Sequence, residues 1–552
     1  MALLASAVLI FSKWSATEAT MTMAWFNSLS TAAAIPTNAT SVVDLEWYPP
    51  RNTSINNLTV VGDWANTSGV YGFIFNSSFT PDDVYGTYNW CNMPHVRKKE
   101  YVRPSEEYEL KYIEVIQRHH KRTPYASNSF PVEEYHWDCN DEGLFFYGAP
   151  FKNGPYNDND QQEQQHKPAQ TFWQGIISPT NPFGRSGWQG TCQFPQLTSA
   201  GLADSYVHGE DIYGVYHDLL SFLPARDDDP STTTTAAASN NWRSKVIYRV
   251  TQNVITSQVA GMLISGTWHT TDRIPLLIEA AGADSLEPQY PCPGGTNLFN
   301  AIQSPSSNPA WGAHLTAAES LYSVLDYISG VPGNDSGFHA SFDHYFDNLS
   351  ARQCHGKALP CSTSTNRNDN GTEAEVERAC INQTLANAVY RFGEWEYSQV
   401  YRDAPMSLEA SVASYGIWIA ELAVHLRAVL ASDGDESSMP LYFHNIAHDG
   451  SVSLVLSILQ IDVMVWPGMG SEVVFELWKR AGEDVAVGLS EGESGNESES
   501  DYYIRVLFGG QVLTSSNPSL GVMDMLPVET LLAYFDGLVG QNASSVVDKC
   551  TS

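Results

Sequence analysis

The sequence predicts an α/β fold: a central mixed, mostly parallel sheet flanked by helices, with an inserted, mainly helical cap. Three observations predict it. Short apolar runs of strand length alternate with longer stretches whose apolar residues recur every three or four positions. Two of the runs end abruptly in charged and imidazole residues, as strands do where they run out into ligand-binding loops. A long segment rich in Gly, Pro and Cys, with isolated helical pieces, interrupts the alternation.

The elements follow in order. Ala2 to Phe11 is an apolar run of about signal-peptide core length. Residues 1–19 are therefore expected to be a signal peptide and 20–87 an N-terminal extension. The first part of the α/β core is expected over 88–269. It carries strands at YIEVIQ (112–117) and KVIYRV (245–250), and helices over 197–220 and 251–266. Two polar stretches, NDNDQQEQQHKPAQ (157–170) and the low-complexity DDDPSTTTTAAASNN (227–241), read as loops. The cap is expected over 270–405. The second part of the core, 406–552, carries a helix over 414–431 and a strand at MPLYFHNIA (439–447) running into a helix. Its last strands are SEVVFELWK (471–479) and YYIRVLFGG (502–510), separated by the acidic loop SEGESGNESESD (490–501). No internal repeat is present.

At 552 residues the chain is too long for one ordinary core, and its 43% apolar content excludes global disorder. Acidic residues outnumber basic ones 62 to 29, a net charge of −33. That excludes a general nucleic-acid binder and makes an anionic membrane a poor partner. The most apolar later stretch, Ser451 to Trp466, is broken by Gln460 and Asp462 and does not read as a membrane span. The 8 cysteines form no C-x-x-C pair, which speaks for disulfides over zinc, with connectivity open. N-x-[ST] acceptors for glycosylation occur at Asn38, Asn52, Asn57, Asn66, Asn76, Asn334, Asn348, Asn370, Asn382, Asn496 and Asn542, densest near the N-terminus. The expected protein is soluble, secreted to the exterior or delivered to a vacuole or cell wall.

The chemistry concentrates at two strand ends. VIQRHHKRTPYASNSFP sets Arg118, His119, His120, Lys121 and Arg122 in a row. Two guanidiniums flanking an imidazole can hold a phosphate by charge-assisted hydrogen bonds, and an imidazole nitrogen can attack phosphorus. LYFHNIAHDGSVSLVLSIL ends a second strand in His448-Asp449. His444 and His448 stand four apart on a strand with no third ligand in view, so no metal site is expected. No G-x-S-x-G elbow between a strand and a helix is found, the literal match GLSEG (488–492) running into the acidic loop, and H-E-x-x-H and Walker A patterns are absent.

Together these segments resemble the histidine acid phosphatase family, which includes acid phosphatases and phytases. Its Arg-His-Gly-x-Arg-x-Pro motif is matched by Arg118, His119, Arg122 and Pro124, and its His-Asp pair by His448-Asp449. QLTSAGLADSYVHGEDIYGVY is similar to its Leu-Thr-x-x-Gly helix, VIYRVTQNVITSQVAGMLISG to its third phosphate-binding segment, and YNWCNMP (88–94) to its fungal members. The resemblance implies hydrolysis of small phosphate monoesters without metal or other cofactor. His119 would be the nucleophile and Asp449 the general acid. Arg118, Arg122, Arg249 and His448 would bind the phosphate. The departures are His120 in place of the family's Gly, and Ile255 where another Arg is frequent. Two further readings stay open: a phytase of the same family, and a catalytically impaired binding glycoprotein on this fold. Oligomeric state is not legible.

Overall fold

The central strand, β1 (Tyr108–Arg118), is buried along almost its whole length. Its side chains alternate between two cores. Tyr112 and Ile116 enter one and Ile113 and Val115 the other, as the period of two requires for a strand covered on both faces. In the computed structural model, which describes residues 42–70, 88–131, 136–139, 174–176, 180, 189–226, 242–270, 272, 274–362, 379–432, 439–481 and 501–551, this strand organises the molecule. Among the described residues nine others follow: β2 (His136–Trp137), β3 (Gln189–Gly190), β4 (Val246–Val250), β5 (Leu276–Leu277), β6 (Tyr442–Ala447), β7 (Glu472–Arg480), β8 (Tyr502–Phe508), β9 (Gln511–Val512) and β10 (Leu526–Pro527). Eight of the ten form one sheet in the order β10-β8-β7-β1-β6-β4-β5, with β9 on β8. β2 and β3 pair separately.

The sheet is mixed. β5, β4, β6 and β1 are parallel, β7 is antiparallel to β1, and β8 is antiparallel to β7. One face packs against the helices Ser407–Ala431, Asp449–Ile458 and Val528–Val539, the other against Ser199–Tyr213 and Val254–Trp268. The helix Ser407–Ala431 is long and apolar enough to cross a membrane, but most of it is buried in the first of these cores.

Between β5 and β6 lie the helices Pro293–Ile302, Pro309–Ser329, Asp343–Cys354 and Gln383–Ser398, with a core of their own around Trp311, Phe346, Phe392 and Trp395. Four disulfides are formed: Cys91–Cys354, Cys139–Cys192, Cys292–Cys550 and Cys361–Cys380. The first ties the segment before β1 to the end of helix Asp343–Cys354, and the third ties the start of helix Pro293–Ile302 to the C-terminal helix.

The expected signal peptide, the 157–170 and 227–241 loops and all but the last residue of the 490–501 loop lie outside the described residues, as do Asn38, Asn76, Asn370 and Asn496. Asn52, Asn66, Asn334, Asn382 and Asn542 are exposed and Asn57 is half-buried. Asn348 is a correction. It is fully buried in its helix, donates to the Asn128 carbonyl (2.8 Å) and accepts from Arg352 Nε (2.8 Å), so no glycan can be attached there in the folded chain.

Candidate active site

β1 and β6 are parallel neighbours with Arg118 opposite Ala447, so their carboxyl ends open side by side. The next residue's N–H, that of His119, donates to the Ala447 carbonyl (3.0 Å). This brings the 118–125 loop against His448-Asp449 at the start of helix Asp449–Ile458. The helix Ser199–Tyr213 supports the loop from behind. Thr198 caps it by accepting from Gly201 N–H (3.3 Å), and a Cβ on Gly201 would lie 2.0 Å from the Lys121 carbonyl. The Gly of Leu-Thr-x-x-Gly is thus there because helix and loop touch backbone to backbone.

A cavity of about 490 Å³ opens at this place. Arg118, His119, Arg122, His448 and Asp449 line it together. His119 Nδ1 lies 2.9 Å from its neighbour's carbonyl, that of His120. A carbonyl only accepts, so Nδ1 carries the proton and Nε2 keeps its lone pair. Burial, then Arg118, Arg122 and His448, push the His119 imidazole well below its ordinary pKa. The ring is therefore neutral and nucleophilic. The His448 ring stands 5.5 Å from it, centroid to centroid, at a steep angle.

Arg118 is 1% exposed; it meets Asp449 Oδ2 at 3.0 Å, donates to the Pro467 carbonyl and lies over the Trp90 ring. Arg122 pairs with Asp347 (2.9 Å) and lies over the Tyr125 ring. Asp347 also accepts from Tyr125 N–H (2.9 Å) and Asn128 Nδ2 (2.7 Å), so one carboxylate buckles the loop to helix Asp343–Cys354. Asp449 accepts from Gly450 N–H (2.9 Å) and the Trp466 indole (2.8 Å). Burial pushes its carboxyl up, but Arg118, Trp466, Arg122 and His448 outweigh that and hold it below the usual range.

Arg249 does not join them. It sits in a separate cavity of about 520 Å³, held by Glu279 (2.6 Å), Glu421 (2.8 Å) and Ser285 Oγ (2.9 Å). The third segment instead sends Thr251 towards the site, with Oγ1 3.0 Å from His448 Nε2. Ile255 is fully buried in the core. His120 points away from the cavity. Its Nε2 lies 3.1 Å from both Gln117 Nε2 and His208 Nδ1, and its ring occupies the space over Gly470, where a Cβ would come within 2.3 Å of it. Lys121 is likewise turned inward, paired with buried Asp204 (2.9 Å). His444, also buried, bonds Gln117 Oε1 (2.7 Å).

The cavity adds residues that no motif announced: Asp343, Asp347, Glu287, Tyr125, Tyr397, Tyr401 and Trp466. Glu287 is 3.5 Å from His448, whose hydrogen bond holds the Glu287 carboxyl below its ordinary value. Asp343 is pushed up to about 7, first by the protein packed around it and then by Asp347 and Asp449, although more than half of its side chain is reachable by solvent. Among these, Tyr125 lies in the singled-out segment VIQRHHKRTPYASNSFP, and Trp90, which also lines the cavity, lies in YNWCNMP.

No family model and no curated protein matches the chain. Among solved structures it is similar to the apo phytase of Hafnia alvei, at 11% identity and a TM-score of 0.41, covering 80% of this chain and 99% of that one. It is similar to the phytase of Klebsiella sp. ASR1 at 15% identity and a TM-score of 0.35, covering 80% and 96%. The multiple inositol polyphosphate phosphatase of Bifidobacterium longum, in complex with inositol hexasulfate, follows at 10% identity and a TM-score of 0.40, covering 77% and 92%.

Proposed function

We propose that the protein is a secreted, histidine-dependent phosphomonoesterase of the histidine acid phosphatase kind, of the fungal type that segment 88–94 resembles. The observation that carries this is that His119, its Nδ1 2.9 Å from the His120 carbonyl, lines one cavity with Arg118, Arg122, His448 and Asp449. In this reading His119 Nε2 bonds to phosphorus while the ester P–O bond breaks. The electron pair goes to the leaving oxygen, which takes a proton from Asp449. Water then attacks phosphohistidine, gives its proton to Asp449, and the N–P bond breaks to return neutral His119 and free phosphate. Arg118, Arg122 and His448 stabilise the transferring group, whose chemistry asks for position and charge more than for covalent help. Four disulfides and exposed sequons support the secretory route.

Quenching the wild type during turnover of nitrophenyl phosphate should trap an acid-labile phosphate on His119. His119→Ala should lose essentially all turnover. Label on His120 would overturn the assignment, because that ring is committed to Gln117 and His208.

A further inference from the structure

The cavity around the phosphate-binding residues has an unusual lining for an anion site. Beside Arg118 and Arg122 stand four carboxylates, Asp343, Asp347, Asp449 and Glu287. Asp449 and Asp347 are committed to the two arginines; Asp343 and Glu287 are not. Between them runs an aromatic wall. Tyr397 stacks on Trp466 at 4.0 Å, Tyr401 follows Tyr397 at 5.1 Å, and Phe299 follows Tyr401 at 5.7 Å. Asp343 and Asp449 lie near enough to Tyr397 and Tyr401 to add to burial in raising both phenol pKa values. Aromatic faces backed by carboxylates attract organic cations and repel additional anions.

We propose, building on the phosphomonoesterase reading, that the site takes phosphate monoesters whose alcohol carries an ammonium group, an amino alcohol or its quaternary form. The phosphate lies against Arg118, Arg122 and His448, and the cation lies against Tyr397, Tyr401 and Asp343. Polyanionic esters such as inositol polyphosphates are disfavoured, since each further phosphate would face Asp343 or Glu287. The groups acting on Asp343 are Asp347, Asp449 and Glu396, which raise its pKa, Arg122, which lowers it, and the adjacent His344 at 3.6 Å. The preference should therefore grow between about pH 5 and 8 as Asp343 ionises.

The test uses the purified full-length chain and three esters: phosphocholine, its uncharged isostere 3,3-dimethylbutyl phosphate, and inositol hexakisphosphate. The expected kcat/KM for phosphocholine exceeds that for the isostere on the order of tenfold at pH 8. The ratio should shrink towards one at pH 5 and in Asp343→Asn. A ratio of one or less at pH 8, or faster turnover of the hexakisphosphate, overturns the proposal. Choline binding, followed by quenching of tryptophan fluorescence against 3,3-dimethylbutanol as control, reads the cation site without chemistry. Choline binding weakened by Asp343→Asn in a chain that hydrolyses none of the esters would sink the phosphatase reading while upholding the cation site. Hydrolysis of all three without preference would do the reverse.

Discussion

The residue that breaks the motif, His120, can be tested through its partner Gly470. Gly470 has φ +73° and lies under the His120 ring, and its N–H donates to the His119 carbonyl (3.0 Å). Gly470→Ala adds two costs. A left-handed backbone with a Cβ costs about 1–2 kcal/mol. Forcing that Cβ to within 2.3 Å of a buried ring adds about 1–3 kcal/mol. The ring cannot swing clear, because Gln117 and His208 hold it. His120→Gly removes the second cost and leaves the first, while itself costing the buried imidazole. The double-mutant cycle should therefore show a favourable coupling of about 1–3 kcal/mol, measured by urea unfolding of the four proteins. Phosphohistidine formation should slow in Gly470→Ala, since the perturbed N–H holds the backbone of His119, and recover partly in the double variant. Additivity within about 0.5 kcal/mol would refute the claim that Gly470 supplies the space which the missing motif glycine no longer needs to supply.

Asp449→Asn should slow phosphoenzyme formation far more for glycerol phosphate than for nitrophenyl phosphate, by about a hundredfold or more, because only an alkoxide needs the proton; equal slowing in single-turnover measurements would remove Asp449 as the acid. Arg118→Ala should lower kcat/KM by the equivalent of about 3 kcal/mol. Arg249→Ala should mainly cost stability, about 2 kcal/mol once the one-third exposure of Glu279 and Glu421 is discounted. Equal kcat/KM losses for the two would show that Arg249 reaches the phosphate after all. Thermal stability should peak between about pH 4 and 6.5. Buried His119, His120 and His208, and His444 at about 3, have folded pKa values below the unfolded one, so stability is lost as pH falls below about 6.5. Glu394 at about 8, Asp343 at about 7 and Asp403 at about 6 are raised, so stability is lost as pH climbs from about 4 towards 8. A melting temperature that is flat from pH 6.5 to 8 would contradict the second half.

Five strands and their order of appearance were legible because each is a short apolar run ending at polar punctuation: β4, β6 and β8 fall within those runs, β7 passes its run by one residue, and β1 contains its run and starts four residues earlier. Arg118, His119, Arg122, His448 and Asp449 were legible because they end or follow closely on β1 and β6, so chain position fixes the end of the sheet at which they lie. Arg249 shows the limit of that logic. It lies inside β4, one residue before its end, where Glu279, Glu421 and Ser285 hold its guanidinium, whereas Thr251, two residues on and past the end of the strand, reaches His448. Asp343, Asp347, Tyr397 and Glu287 come from segments between β5 and β6, more than 160 residues from His119. Nothing local in an amphipathic helix marks which exposed carboxylate will face a loop that distant. Asn348 failed for the same reason, since its sequon is local and its burial is not.

The pairing of Arg118 with Asp449 bears on how the proposed chemistry would start. In the free site Asp449 is ionised because Arg118 and the Trp466 indole outweigh the burial that opposes charge. A phosphate dianion entering beside His119 competes for the Arg118 guanidinium and brings negative charge into the same small volume. Both effects act in one direction on Asp449: they weaken what holds it ionised and leave burial in command, so its pKa rises. Substrate capture and protonation of the acid thus become linked, and a proton should be taken up from solution as a dianion binds. Trp466→Phe keeps the ring but removes one donor from Asp449, so it should raise the carboxyl's pKa before substrate arrives and reduce that uptake. Binding of inorganic phosphate, followed by calorimetry in buffers of different ionisation enthalpy, measures the number of protons directly. Uptake that is unchanged in Trp466→Phe and in Asp449→Asn would place the titrating group elsewhere, with Asp343 the first to examine.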